Sequence, residues 1–255
     1  MSGQEQAVVV GAGGAIGAYI VDALVDAGLR VVGVGRDAER MAPLAERHGE
    51  RFAACLADIA SDDAIEAIRA ALEAPGATAV AMVVHAAGVP VAGGVKTAAT
   101  QAVVEACNVK VGGFMRLVRA VEPKLRRGSR LVAIGGHYGF EPSPYAATAG
   151  VANAGLANVV RQMSWAYGGD GITSHLVAPG PADTERLHQV MIHRAAAAGS
   201  TPEAELDALR SESAIGGLTT PRQVAWAVRM LLAPEADALA GSSLMLDSGR
   251  RKGLP

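Results

Sequence analysis

Residues 7–17 read Ala7-Val8-Val9-Val10-Gly11-Ala12-Gly13-Gly14-Ala15-Ile16-Gly17. The apolar run at its start predicts a buried strand, and the glycines after that run predict a loop. Apolar residues then recur at helical spacing through Leu24 and Val25, and Gly28 marks the end of a helix. The stretch therefore predicts a strand that passes through a glycine loop into a helix.

The same alternation continues along the chain. Helical spacing fills the stretches between further apolar runs, and strands that alternate with helices form a parallel sheet covered on both faces. Residues 1–255 are therefore predicted to form a single doubly wound α/β domain, with its ligand site at the carboxyl ends of the strands. The further predicted strands are Leu29–Val34, Phe52–Leu56, Thr78–His85, Arg130–Ile134, Ile172–Val177 and Ser243–Leu246.

Residues 183–217 break this alternation and are predicted to form a partly irregular flap on the substrate side. Within the flap, Ser200-Thr201-Pro202-Glu203 is typical of a helix start. His188 and His193 lie five residues apart and would not share a helix face, so no metal site is predicted. The apolar residues expected to shape a substrate pocket are Leu187, Val190, Met191 and Ile192.

Composition narrows the class of protein. The chain has 255 residues, of which 50% are hydrophobic, and a formal net charge of −2. This composition excludes a disordered chain and argues against a nucleic-acid surface. No stretch approaches the roughly 18 apolar residues of a membrane span, and the first residues lack the features of a signal peptide. We therefore expect a cytoplasmic protein that binds neither nucleic acid nor membranes.

The glycine loop predicts a dinucleotide site. Gly11, Gly13, Gly14 and Gly17 would let the backbone approach a pyrophosphate, and the following helix would direct its free N–H groups at the phosphates. At the end of the second strand, Arg36 suits the 2′-phosphate of NADP(H). The neighbouring Asp37 keeps NAD(H) open as an alternative.

Several motifs in the expected order resemble the short-chain dehydrogenase/reductase family over nearly the whole chain. The glycine loop resembles TGxxxGIG, and Ala57-Asp58-Ile59 resembles an Asp-Val pair whose carboxylate contacts adenine. His85-Ala86-Ala87-Gly88 resembles the NNAG turn, and residues 179–184 match the PG-x-x-x-T segment beside the nicotinamide. The resemblance implies a Rossmann-type fold. The cofactor contacts that it adds to the glycines and Arg36 are Ile16, Asp58, Ile59, Ala87, Gly88, Pro179, Gly180 and Thr184.

The resemblance also implies hydride exchange between a nicotinamide and a carbonyl or alcohol carbon. Tyr145 matches the family tyrosine, which gives its proton to the carbonyl oxygen, and Asn108 matches an asparagine that orders a water. The family lysine, however, aligns with Ala149, and the family serine aligns with Gly135-Gly136. His137 is the candidate replacement for the serine, with a surface-loop histidine as its alternative.

These departures leave three functions open. Loss of well-placed acid–base groups typically slows a reaction by about 10²–10⁴-fold. The leading prediction is an NADP(H)-dependent oxidoreductase with a non-standard site for a small, apolar substrate. The alternatives are a non-redox enzyme, such as a cyclase, dehydratase or isomerase, and a catalytically inactive protein that binds the cofactor.

Two further expectations concern assembly and charge. The resemblance implies a homodimer or homotetramer paired through the two longest predicted helices, Val103–Leu125 and Tyr145–Gly168. Lys110 lies two positions after Asn108, points to another face of its helix and is expected to be solvated.

Overall fold

The computed structural model describes residues 4–73, 77–88 and 93–253. Seven parallel strands in these ranges form one sheet in the order β3-β2-β1-β4-β5-β6-β7, so the predicted doubly wound α/β fold is confirmed. The chain winds outward from β1 to β3 and then crosses back to β4, which places a crevice between the ends of β1 and β4. The strands are β1 (Gln4–Val10), β2 (Arg30–Gly35), β3 (Phe52–Leu56), β4 (Ala77–His85), β5 (Leu125–Ile134), β6 (Thr173–Pro179) and β7 (Ser243–Leu246).

Helices cover both faces of this sheet. The α-helices of the described ranges are α1 (Gly17–Asp26), α2 (Ala38–His48), α3 (Asp63–Ala71), α4 (Thr100–Cys107), α5 (Gly113–Val121), α6 (Ala147–Gly168), α7 (Glu185–Ala198), α8 (Pro202–Ser211) and α9 (Pro221–Met230). None of the helices in the described ranges is both long and apolar enough to cross a membrane.

Two apolar clusters lie on opposite faces of the sheet. Ala7 and Val9 of β1 pack into one cluster, while Val8 and Val10 pack into the other. Successive side chains of a strand point to opposite faces, so a strand buried on both sides needs an unbroken apolar run. This requirement explains the sequence pattern of the first strand.

The prediction of one continuous helix over Val103–Leu125 is wrong. A π-helical turn, Asn108–Gly112, separates α4 from α5, and Leu125 already belongs to β5, where it pairs with Val80. Two adjacent glycines at the end of the turn have low helix propensity, which favours the irregular winding.

The segment 183–217 contains two helices, α7 and α8, where one helix start within a partly irregular flap was predicted. Leu187 and Val190 of α7 pack against a small cluster that includes the buried Leu206 and Leu209, so tertiary packing stabilises the helix. The predicted helix start in this segment is confirmed, because the Thr201 side chain accepts a hydrogen bond from the backbone N–H of Ala204.

Candidate active site

A large cavity of about 820 Å³ lies at the carboxyl ends of β1 to β4. The adjacent ends of these strands bring together residues from four separate parts of the sequence. The predicted cofactor residues that line this first cavity are Gly11, Gly13, Gly14, Arg36, Asp58, Ile59, Ala87 and Gly88.

The glycine loop is shaped for a close ligand. Gly11 has a positive φ of 80°, and its N–H donates to the Val34 carbonyl at 2.8 Å. A β-carbon at Gly17 would clash with the carbonyl oxygen of Gly11, so only glycine fits there. No side chain of the described residues caps α1 at Ile16, and the Ala18 N–H donates to the Gly14 carbonyl at 3.0 Å. The helix start therefore offers an anion its positive dipole end and the N–H groups that remain. The loop fits the pyrophosphate of a dinucleotide.

Charged side chains line the far end of the first cavity. Arg36 reaches Asp58 with Nη1 3.7 Å from Oδ2, and both side chains are exposed. The Asp37 carboxylate accepts hydrogen bonds from the backbone N–H groups of Glu39 and Arg40 and thereby caps α2. Arg40 also lines the cavity, although the sequence analysis did not single it out. Arg40 could have been predicted from its position, which is one helical turn after the cap residue Asp37.

A second cavity of about 260 Å³ lies beyond the ends of β5 and β6. His137 and Tyr145 both line it, as do Pro179 and Gly180 from the end of β6. The positions aligned with the family serine and lysine, Gly135-Gly136 and Ala149, line it as well. Leu187, Val190 and Met191 form its apolar wall, as expected, whereas Ile192 is exposed and does not line it.

Three predicted cofactor residues line neither of these two cavities. Ile16 and Gly17 form the start of α1, immediately after the glycine loop. Thr184 caps α7, where its hydroxyl oxygen accepts a hydrogen bond from the Leu187 N–H at 3.4 Å. The structure thus places these three residues beside the two cavities, at the starts of α1 and α7.

The Tyr145 phenol lies among hydrogen-bond donors and cations. The Tyr138 hydroxyl donates to the Tyr145 oxygen at 3.2 Å, and the Arg194 guanidinium carbon lies 5.1 Å from the Tyr145 ring centroid. Burial alone would raise the pKa of Tyr145. Hydrogen bonds from Tyr138 and Ser143, with the charges of Arg194 and Arg250, outweigh burial and lower this pKa. The phenol therefore ionises more readily than an ordinary tyrosine.

His137 is buried beside this phenol pair. Its ring lies 3.9 Å from the Tyr138 ring between centroids, so the surface-loop alternative is wrong. The short turn after β5 folds inward beneath the second cavity, which explains the burial. Burial and the charge of Arg250 lower the pKa of His137 to about 4, so the imidazole is neutral near pH 7.

Asn108 lies apart from Tyr145. Its side chain donates to the Ala60 carbonyl at 3.0 Å and accepts from Arg116 at 2.9 Å. It lines the first cavity and not the second. In these contacts the amide joins the π-helical turn to the loop after β3.

Lys110 is buried, so the expectation that it is solvated is wrong. It does face away from Asn108, but that side of the turn packs on β5, where Nζ donates to the Ile134 carbonyl at 2.7 Å. Burial and the charge of Arg186 lower the pKa of Lys110 to about 8. Ile134 immediately precedes Gly135, which places this amine behind the wall of the second cavity.

The chain resembles known proteins over almost its whole length. The family model described as Enoyl-(Acyl carrier protein) reductase matches residues 11–251. An uncharacterized short-chain type dehydrogenase/reductase of Sinorhizobium fredii, y4vI, is 25% identical over 95% of this chain, which spans only 43% of that relative. The 2-(S)-hydroxypropyl-CoM dehydrogenase 3 of Xanthobacter autotrophicus is 28% identical over 96% of both chains.

Solved structures agree with this match. The L-sorbose reductase of Gluconobacter frateurii, in complex with NADPH and L-sorbose, superposes with a TM-score of 0.89 at 21% identity. The match covers 99% of this chain and 98% of that one. The fold and the family model together define a dinucleotide-binding oxidoreductase. The chain belongs to the short-chain dehydrogenase/reductase family, whose members bind a nicotinamide cofactor.

Proposed function

We propose that the protein is an NADP(H)-dependent oxidoreductase that interconverts a carbonyl and an alcohol on a small, largely apolar substrate. The observation that carries the proposal is that both cavities lie at the carboxyl ends of the parallel strands. A pyrophosphate-shaped loop lines the first cavity, and a readily ionised phenol lines the second. The domain covers residues 1–255, with 183–217 as its substrate-side flap.

The charges around the first cavity favour NADP(H). Arg36 and Arg40 line the end where the ribose of a dinucleotide would lie, and guanidinium groups bind phosphates strongly. Selectivity for NAD(H) would need a carboxylate directed at the ribose 2′-hydroxyl. Asp37 caps α2 through its Oδ1 atom, and Asp58 is paired with Arg36.

The chemistry in the second cavity depends on Tyr145. A nicotinamide held by the glycine loop and the first cavity would supply or accept the hydride. Tyr145 gives its proton to the carbonyl oxygen during reduction and takes it back during alcohol oxidation. The Tyr138 hydroxyl then stabilises the phenolate by its hydrogen bond, and Arg194 stabilises it by its charge. His137 is neutral and buried, and its ring N–H donates to the Pro179 carbonyl. Its second ring nitrogen therefore accepts a hydrogen bond from the hydroxyl group of an alcohol substrate.

This arrangement is a non-standard active site. Ala149 and Gly136 supply no polar side chain to the second cavity, and the cations that lower the pKa of Tyr145 are arginines. Exposed apolar residues on α4 and α6, Val104 and Val151, support assembly as a homodimer or homotetramer through those helices.

Calorimetric titration with NADPH and with NADH tests the cofactor. We expect tight binding of NADPH and weak binding of NADH, and we expect Arg36→Ser to remove most of the difference. Arg229→Ser, on the outer face of α9, is the matched control. Absence of binding by either dinucleotide would contradict the proposal.

Turnover tests the reaction. Reduction of a carbonyl should consume one NADPH per product, and Tyr145→Phe should slow it by about 10²-fold or more. Product formation without oxidation of NADPH would instead identify a non-redox enzyme.

A further inference from the structure

The second cavity is apolar on one side and carries one permanent charge. Leu187, Val190 and Met191 of α7, with Leu209 of α8, supply the apolar wall. Among its described lining residues, Arg194 is the single arginine, and none is a lysine, aspartate or glutamate. A cavity of this kind fits a small molecule with an apolar body and one anionic group.

Arg194 has no carboxylate partner among the ion pairs of the described residues. Its guanidinium lies over the Tyr145 ring and is half-buried. Two other arginines of this region have carboxylate partners, since Arg210 pairs with Asp207 at 2.8 Å and Arg250 pairs with Glu212. A partly desolvated guanidinium without a counter-charge binds a carboxylate through two parallel hydrogen bonds, which are among the strongest in proteins.

We propose that Arg194 binds the carboxylate of the substrate and that the enzyme acts on a short oxo acid, or on the hydroxy acid formed from it. The inference rests on the proposed function and names its substrate class. Because the guanidinium carbon lies 5.1 Å from the Tyr145 ring centroid, the carboxylate and the reacting carbonyl must be close together. An α- or β-oxo acid meets that requirement.

The reaction is balanced with this substrate. In reduction, a bound NADPH would supply the hydride that bonds to the carbonyl carbon and would become NADP⁺. The C=O π bond breaks as the Tyr145 proton bonds to the carbonyl oxygen, and the phenolate recovers its proton from water. The carboxylate stays on Arg194 without chemical change, so Arg194 determines specificity and orientation.

Binding of charged and uncharged analogues tests the proposal. The probes are α-oxovalerate and its methyl ester, then β-oxovalerate and its methyl ester, titrated by calorimetry into the full chain. We expect one acid to bind at least about tenfold more tightly than its ester. Arg194→Met should abolish this preference, and Arg194→Lys should keep part of it. Arg210→Met is the control, because it removes an equal charge from α8 outside the cavity.

Several outcomes would overturn the proposal. Equal affinity for acid and ester, no binding of either acid, or an acid preference that survives Arg194→Met would each do so. NADPH binding, measured on the same variants, reports separately on the fold and on the proposed function. Binding of an acid that depends on Arg194, without NADPH oxidation, would support the anion site while contradicting the oxidoreductase function.

Discussion

At Lys110, a cationic side chain lies inside the protein with a neutral partner. The Ile134 carbonyl accepts its hydrogen bond, and the charge that lowers its pKa, that of Arg186, has the same sign. Burial of an ammonium group without a counter-charge is unfavourable, and a protein relieves the cost by lowering the pKa of the group. The amine is therefore a source of pH-dependent stability.

Lys110→Met should change how stability varies at alkaline pH. The folded pKa is about 8 and the unfolded value is 10.5, so between them the unfolded chain holds one more proton. The free energy of unfolding of the wild type should therefore rise, relative to the variant, by about 3 kcal/mol between pH 8 and 10.5. Urea unfolding at a series of pH values measures this rise. Lys96→Met, at an exposed site, is the control, and parallel curves for wild type and Lys110→Met would contradict the prediction.

Tyr138 should control the protonation of Tyr145. Tyr138→Phe removes the hydrogen bond that the Tyr145 oxygen accepts, so the pKa of Tyr145 should rise. Alcohol oxidation needs the phenolate, and its rate increases as pH passes through that pKa. We expect the profile of kcat/KM for oxidation to move to higher pH in Tyr138→Phe. Tyr167→Phe on α6, whose hydroxyl contacts Glu122, should leave the profile in place.

Single residues were the hardest part to predict from sequence. Tyr145 could be found because its motif is local, and Arg36 because it directly follows a strand. Lys110 and Arg194 carry no such signal, since the burial of one depends on β5 and the position of the other on the packing of α7 over the second cavity. Tertiary contacts of this kind join distant parts of the chain and leave no periodic pattern.

At the scale of elements, the loop between β1 and α1 should tolerate no added methyl group at its end. A β-carbon at Gly17 would clash with the backbone of Gly11. Gly17→Ala should therefore displace the loop, weaken NADPH binding by about tenfold or more, and cost about 1–3 kcal/mol of stability. Gly168→Ala is the matched control, because nothing lies within 4 Å of its added carbon. Unchanged NADPH affinity in Gly17→Ala would show that the loop does not hold the cofactor.

Strands and helices were predicted correctly where the hydrophobic periodicity of the sequence was strong. All seven strands and the start of α8 were predicted, because alternation and caps are local. The π-helical turn at Asn108–Gly112 was not predicted. One extra residue in a helical turn leaves the apolar pattern of the sequence almost unchanged. Helix α7 was missed because its apolar stripe is narrow and is stabilised by contact with α8.

At the scale of the whole molecule, three histidines make the fold sensitive to acid. Burial lowers the pKa of His85 to about 3 and the pKa of His137 and His175 to about 4. An unfolded imidazole has a pKa near 6.5, so between pH 6.5 and 4 the unfolded chain binds up to three more protons than the folded one. Stability should fall as pH decreases through this window, by about 2 kcal/mol per imidazole at pH 5.

Urea unfolding between pH 4.5 and 7 measures the proton uptake as the slope of the unfolding free energy against pH. His137→Gln, in the turn after β5, and His175→Gln, in β6, each remove one buried imidazole, so each should reduce the uptake by up to one proton. His193→Gln on α7 replaces an exposed imidazole and is the control. Since carboxylates titrate mainly below this window, a wild-type slope near zero above pH 5 would contradict the burial of these rings as neutral groups. A slope that falls stepwise with each buried histidine removed would assign the acid sensitivity to these imidazoles.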